Sequence, residues 1–246
     1  MTETTKQEAC REGMMRNMEM NQELPYQPFI EANNQGVCLL LSDQYDDAIT
    51  FFISALKHVD ENIERGAVGA VQHSNDLSAM HDLAAYFVIQ EGKALSVPVD
   101  AGKALFIFTN PILVSHEINR LDCNFNSKLS IVAMYNLALS YHLCAIQKQS
   151  LEHIQKALSY YQLAYNILID ETHVVVSQAM VILNNIGHIH RLLRNDAGAK
   201  DCFEYLLSTM LFVLQIGEAD RIQNWESFLS NVMDFVAPNP NPAAAA

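Results

Sequence analysis

The stretch ILNNIGHIHRLLRNDAGAKDCFEYLL, residues 182–207, decides how the chain is read. Its apolar residues recur at helical spacing, and the polar break around Arg194 and Asn195 divides it into two helices. Each half carries a small residue, Gly187 in the first and Ala199 in the second, with Phe203 and Leu206 following on the second helix. Small residues let two antiparallel helices approach closely, and a large aromatic nearby fills the space left over. His188 and His190 suggest a metal site at first sight. On a helix, residues two apart point about 200° away from each other, so they cannot share one ion. The segment reads as a unit of scaffold.

The same grammar recurs. From Gly187, the residues 12, 16 and 19 positions on are Ala199, Phe203 and Leu206; from Gly36 they are Ala48, Phe52 and Ala55. Around Ala138 the series is Ala157, Tyr161 and Ala164, displaced by a further 7 residues. Seven residues are about two helical turns, so each helix lengthens without rotating its buried face. Three units of this kind resemble the tetratricopeptide (TPR) repeat, whose pattern sets small residues and an aromatic at these offsets. The 42 residues from Ala157 to Ala199 exceed the usual period of about 34, which is similar to the longer repeats of the kinesin-light-chain type. The pattern departs from the family where a tryptophan is usual, with Ala32 and Leu183 in its place, and in lacking the terminal proline.

The resemblance implies an all-α superhelix of antiparallel helix hairpins. Residues 1–28 read as a flexible leader, 29–62 as the first unit, 129–170 as the second and 177–216 as the third. Residues 218–236 read as a helix capping the last hydrophobic face, and 237–246 as a disordered tail. Residues 63–128 do not fit the period. A helix is expected over 75–92, then an extended or β-hairpin arm in which ALFIF and ILVS flank Thr109, Asn110 and Pro111. A lone hairpin is marginal in water, so this arm should pack on the helices.

A net charge of −13, from 28 acidic and 15 basic residues, repels phosphate backbones and favours a basic protein or peptide partner over nucleic acid. The 5 cysteines are scattered without a C-x-x-C pair, as expected of reduced thiols in a cytoplasmic or nuclear protein. No secretory signal and no apolar run of membrane-spanning length is read, so no membrane partner is expected. The Gly-Lys pairs at Gly92 and Gly102 lack the flanking residues of a phosphate loop, and no nucleophile–base order stands in a recognisable context. No catalytic, metal or cofactor residue is assigned.

One constellation remains. Asn34, Asn136 and Asn185 occupy the same place on the first helix of each unit, two residues before its small-residue anchor. In TPR proteins that place faces the concave groove. Asparagine is a mediocre helix former, so its recurrence asks for a reason. Its amide both donates and accepts, which suits an extended peptide backbone. Other groove places implied by the resemblance hold Asn33, Asn184, Tyr135, His142, His188 and Arg191, besides Val37, Val132 and Val181. The cationic clamp that chaperone-binding members use for acidic tails is missing, since its places hold Asn33, Val37, Val181 and Asn185. The expectation is a non-catalytic interaction scaffold that binds a peptide or helical segment against the asparagines, or one whose own arm at 105–115 fills the groove. The alternatives are a self-associating structural module and, further off, an enzyme with its site in residues 63–128.

Overall fold

A computed structural model describes residues 26–64, 87–89, 94–100, 103–115, 125–170 and 176–236. Residues 1–25 of the leader, most of the helix expected over 75–92, and the tail lie outside the described residues, whereas Gln27 and Pro28, expected in the leader, open the first described helix behind a buried Tyr26 at its N-cap. Helices dominate: α1 (Gln27–Leu41), α2 (Tyr45–Glu64), α3 (Phe125–Lys148), α4 (Leu151–Asp170), α5 (Val176–Leu192), α6 (Asp196–Gln215) and α7 (Trp225–Val236), with a 3-10 turn at Ala219–Arg221. Among the described residues, four short strands intervene between α2 and α3: β1 (Phe87–Ile89), β2 (Ala94–Asp100), β3 (Lys103–Phe108) and β4 (Ile112–Val114). Phe87–Ile89 is therefore strand where a helix end was expected, because it pairs with β4. The cap is also shorter than the stretch 218–236, with the first residues taken up by the 3-10 turn.

Successive helices pack on one another from α1 to α7. The hairpin corners share one construction. The N–H of Gln44, Ser150, Asn195 and Glu218 each donates to the carbonyl five residues back, on Leu39, Ala145, His190 and Val213. The residue before each donor has positive φ: Asp43 at 59°, Gln149 at 53°, Arg194 at 58° and Gly217 at 75°. This closes the last carbonyls of a helix through one left-handed residue, and only the fourth corner uses glycine for it.

Within the first and third hairpins the glycine meets the aromatic. A Cβ built on Gly36 would lie 2.7 Å from the Phe52 ring, and one on Gly187 would lie 2.8 Å from the Phe203 ring. Both rings are fully buried. The aromatic thus occupies the side-chain space of its own hairpin's glycine.

Helix α3 is apolar nearly all round. An 18-residue window of it reaches a mean hydropathy of 1.5, enough in length and composition to cross a membrane, although no such run was read from the sequence. Its surroundings account for this, since 83% of that window is buried inside the fold, between α2 and α4.

The strands form two antiparallel pairs, β1 with β4 and β2 with β3. β3 lies against α5 and α7, and β4 against α1. Leu105, Ile107, Phe108, Ile112 and Val114 are all buried, and the Phe108 ring stacks on Phe228 of α7 with centroids 3.9 Å apart. The register also explains Pro98. It pairs with Ala104, in step with the Ser96–Phe106 pair, and the N–H of Phe106 turns away from β2 toward a side chain of α7. Residues of such a pair point their backbone groups outward, so the N–H that proline lacks is one the β2–β3 ladder does not use.

Candidate functional site

The arm from Phe106 to Val114 runs across the capping helix α7 and then across the first helices of the hairpins in reverse order, α5, α3 and α1. At each crossing one asparagine takes both backbone groups of one arm residue. The N–H of Phe106 donates to Asn231 Oδ1 at 2.8 Å, and Asn231 Nδ2 donates back to the Phe106 carbonyl at 2.7 Å. Asn185 does the same for Phe108, with both bonds at 3.0 Å. Asn136 holds Ile112 at 2.9 and 2.8 Å, and Asn34 holds Val114 at 2.9 and 2.7 Å. Between them, at the bend, the Tyr135 hydroxyl donates to the Asn110 carbonyl at 3.0 Å. Every second residue from 106 to 114 is therefore gripped by its backbone, as the alternation of an extended chain requires.

The grip is built twice from the same parts. Asn33 Nδ2 reinforces the Ile112 carbonyl at 3.0 Å, and its own Oδ1 accepts from Asn136 at 3.0 Å. Asn184 Nδ2 reinforces the Phe106 carbonyl at 2.9 Å, and its Oδ1 accepts from Asn231 at 2.7 Å. Asn33, Asn34 and Asn136 thus correspond to Asn184, Asn185 and Asn231, each trio holding two arm residues on either side of the bend. Each trio begins in a repeated Asn-Asn-x-Gly, ending at Gly36 or Gly187. Of the six asparagines only Asn34 is partly exposed. Burial makes such bonds hard to replace, because a group left without its partner is also cut off from water.

The other expected groove residues divide. Tyr135 joins the ladder, and burial pushes its hydroxyl well above the usual tyrosine range, keeping it protonated and able to donate. Asn185 also donates to the buried Tyr161 hydroxyl at 3.0 Å, which ties the second hairpin to the third. His142 and His188 bond to each other, Nε2 to Nδ1 at 3.0 Å, rather than to the arm. Desolvation lowers both, His188 to about 3 and His142 well below its ordinary value, with the neighbouring imidazole adding to the effect at His142. Either tautomer leaves one N–H and one lone pair of this pair without a partner among the described residues, on His142 Nδ1 and His188 Nε2. Arg191 turns to an ion pair with Asp196 and stacks over the Phe235 ring at 5.7 Å.

Asn231 was not anticipated, because the capping helix was read only for its apolar stripe. Asn231, one position before Val232 of that stripe, was the available signal.

One further cluster has metal-like composition, with ligand atoms of Asp46, Cys144 and His153 within 4.8 Å of one another. The Lys148 ammonium already contacts both Asp46 oxygens, at 2.7 and 2.6 Å. Burial raises the Cys144 thiol above its usual range, so it keeps its proton. The geometry is that of an ion pair beside a buried thiol. Of the other described cysteines, Cys202 is half-buried, with its thiol pushed up to about 11 by burial, while Cys38 is exposed.

The chain matches no protein-family model, no curated protein and no solved structure, so the arrangement of asparagines and arm stands as its most specific feature.

Proposed function

We propose that the protein is a non-catalytic, TPR-like interaction scaffold whose groove is a receptor for extended backbone, occupied in cis by its own arm. A partner segment would enter by taking the arm's place. The observation that carries this is the double grip on Phe106, Phe108, Ile112 and Val114. Asparagine amides read the N–H and C=O of a strand and not its side chains, so another extended segment satisfies them equally well. The common corner geometry and the glycine–aromatic contacts support the TPR likeness. The net charge of −13 favours a segment with basic flanks.

A second reading has its own observation. Ile107 and Phe108 are as deeply buried as the helix core, which favours an arm that never leaves and a module that binds, or self-associates, through its outer faces. Hydrogen exchange on the intact protein separates the two. If the arm gives way, the amides of Phe106, Phe108, Ile112 and Val114 exchange through a partial opening cheaper than that of Leu137 in α3. A labelled peptide of residues 105–115 then also binds in trans, and more weakly to Asn34→Ala/Asn136→Ala/Asn185→Ala. Arm amides that exchange only with global unfolding, together with no peptide binding, would establish the second reading instead.

A further inference from the structure

Beside the bend of the arm lies a cavity of about 180 Å³. The arm supplies one wall through Phe108 and Ile112, and the scaffold supplies the others through Val181 and Ile182 of α5 and Phe228 of α7. These walls are apolar, and two of their residues, Phe108 and Phe228, stack on each other. Gln178, Gln223 and Asn224 add neutral amides to the lining. The charged side chain on the wall, Arg221, is paired with Glu218 at 2.7 Å and adds little net charge.

We propose that this cavity binds a neutral aromatic molecule of one ring or two fused rings carrying a single hydrogen-bonding group, and that the occupant pins the arm in the groove. Size comes first in the argument: an apolar cavity of about 150 Å³ accepts benzene, so this one has room for a ring and a substituent. Wall chemistry comes second, since stacked and branched apolar side chains suit a flat ring while the amides suit one donor or acceptor. Charge comes third. The acidic protein repels anions, and the Arg221–Glu218 pair offers no uncompensated partner to either sign. The consequence for the arm follows from linkage. A ligand that touches Phe108 and Ile112 together with α5 and α7 binds only while the arm is seated, so it must favour the seated state.

The test uses phenol and indole as probes on the full chain, followed by methyl NMR of isoleucine and valine. Saturable shifts confined to Ile112, Ile131, Val181, Ile182 and Ile222 are expected, weaker for benzoate and benzylamine. At ten times the dissociation constant, hydrogen exchange at the Phe108 and Ile112 amides should slow roughly tenfold. Val181→Phe, which fills the cavity, should abolish the shifts; if it does not fold, Ile222→Phe serves at the neighbouring wall. Shifts that never saturate, that persist in a folded filled variant, or that leave arm exchange unchanged would each overturn the proposal. Charged analogues binding as tightly as phenol would overturn the assignment to neutral rings. None of these outcomes bears on trans binding of the arm peptide, which is measured without any ring compound.

Discussion

Asn231 on the last helix holds both backbone groups of Phe106, residues 125 positions apart, at 2.8 and 2.7 Å. Asn34 on the first described helix does the same for Val114. The arm thereby staples the two ends of the row of described helices, and the loss of any grip should be felt in global stability.

Asn185→Ala should be the costliest of these losses. It strands the N–H and C=O of Phe108 and the Tyr161 hydroxyl in a buried site, which predicts destabilisation of about 3 kcal/mol by chemical denaturation. Asn34→Ala, at the partly exposed end, should cost about 1 kcal/mol. Equal costs would mean that burial does not set the strength of the grip.

Gly36→Ala should destabilise by about 1–3 kcal/mol, because the new methyl would sit 2.7 Å from a ring carbon of Phe52, which has no room to withdraw. Phe52→Leu in the same chain should recover part of that loss. A double-mutant cycle with no coupling would show that the two residues do not share the space.

Gln149→Gly should raise stability, by up to about 1 kcal/mol, by relieving a side chain held at φ 53° in the α3–α4 corner. Gly217 at the end of α6 already uses glycine in that role. A fall in melting temperature would mean that the Gln149 side chain contributes more than its backbone strain removes.

The His142–His188 pair should make the fold acid-sensitive well before its carboxylates titrate. In the unfolded chain each imidazole protonates near 6.5, whereas burial holds His188 neutral down to about 3 and lowers His142 as well. Below pH 6.5 the unfolded state therefore binds more protons. The stability present above that pH falls as pH drops from about 6.5 toward 3, by up to ~1.4 kcal/mol per pH unit for each group. His188→Gln should flatten the profile of stability against pH in that window; an unchanged slope would remove this group as its cause.

Much of the helical frame was legible because small residues and aromatics at fixed offsets are a local demand. Gly36 with Phe52 and Gly187 with Phe203 touch within single hairpins, where a short corner folds two successive helices antiparallel. The asparagines were legible as a recurrence for the same reason. The left-handed corners were not, since Asp43, Gln149 and Arg194 share a backbone conformation without sharing a side-chain type. Phe87–Ile89 escaped as a strand because a three-residue strand carries almost no periodicity and is defined by its partner β4.

The sequence by itself determined the helical hairpins and the repeated asparagines, for both follow from contacts and propensities within some forty residues. Only the tertiary structure decided what the asparagines hold. A side-chain amide pairs as readily with a neighbouring helix, with water or with a strand, and the choice depends on which backbone lies within about 3 Å. Folding places Phe106–Val114 there, bringing Asn34 within 2.9 Å of a residue 80 positions away, and no local pattern records a meeting at that separation.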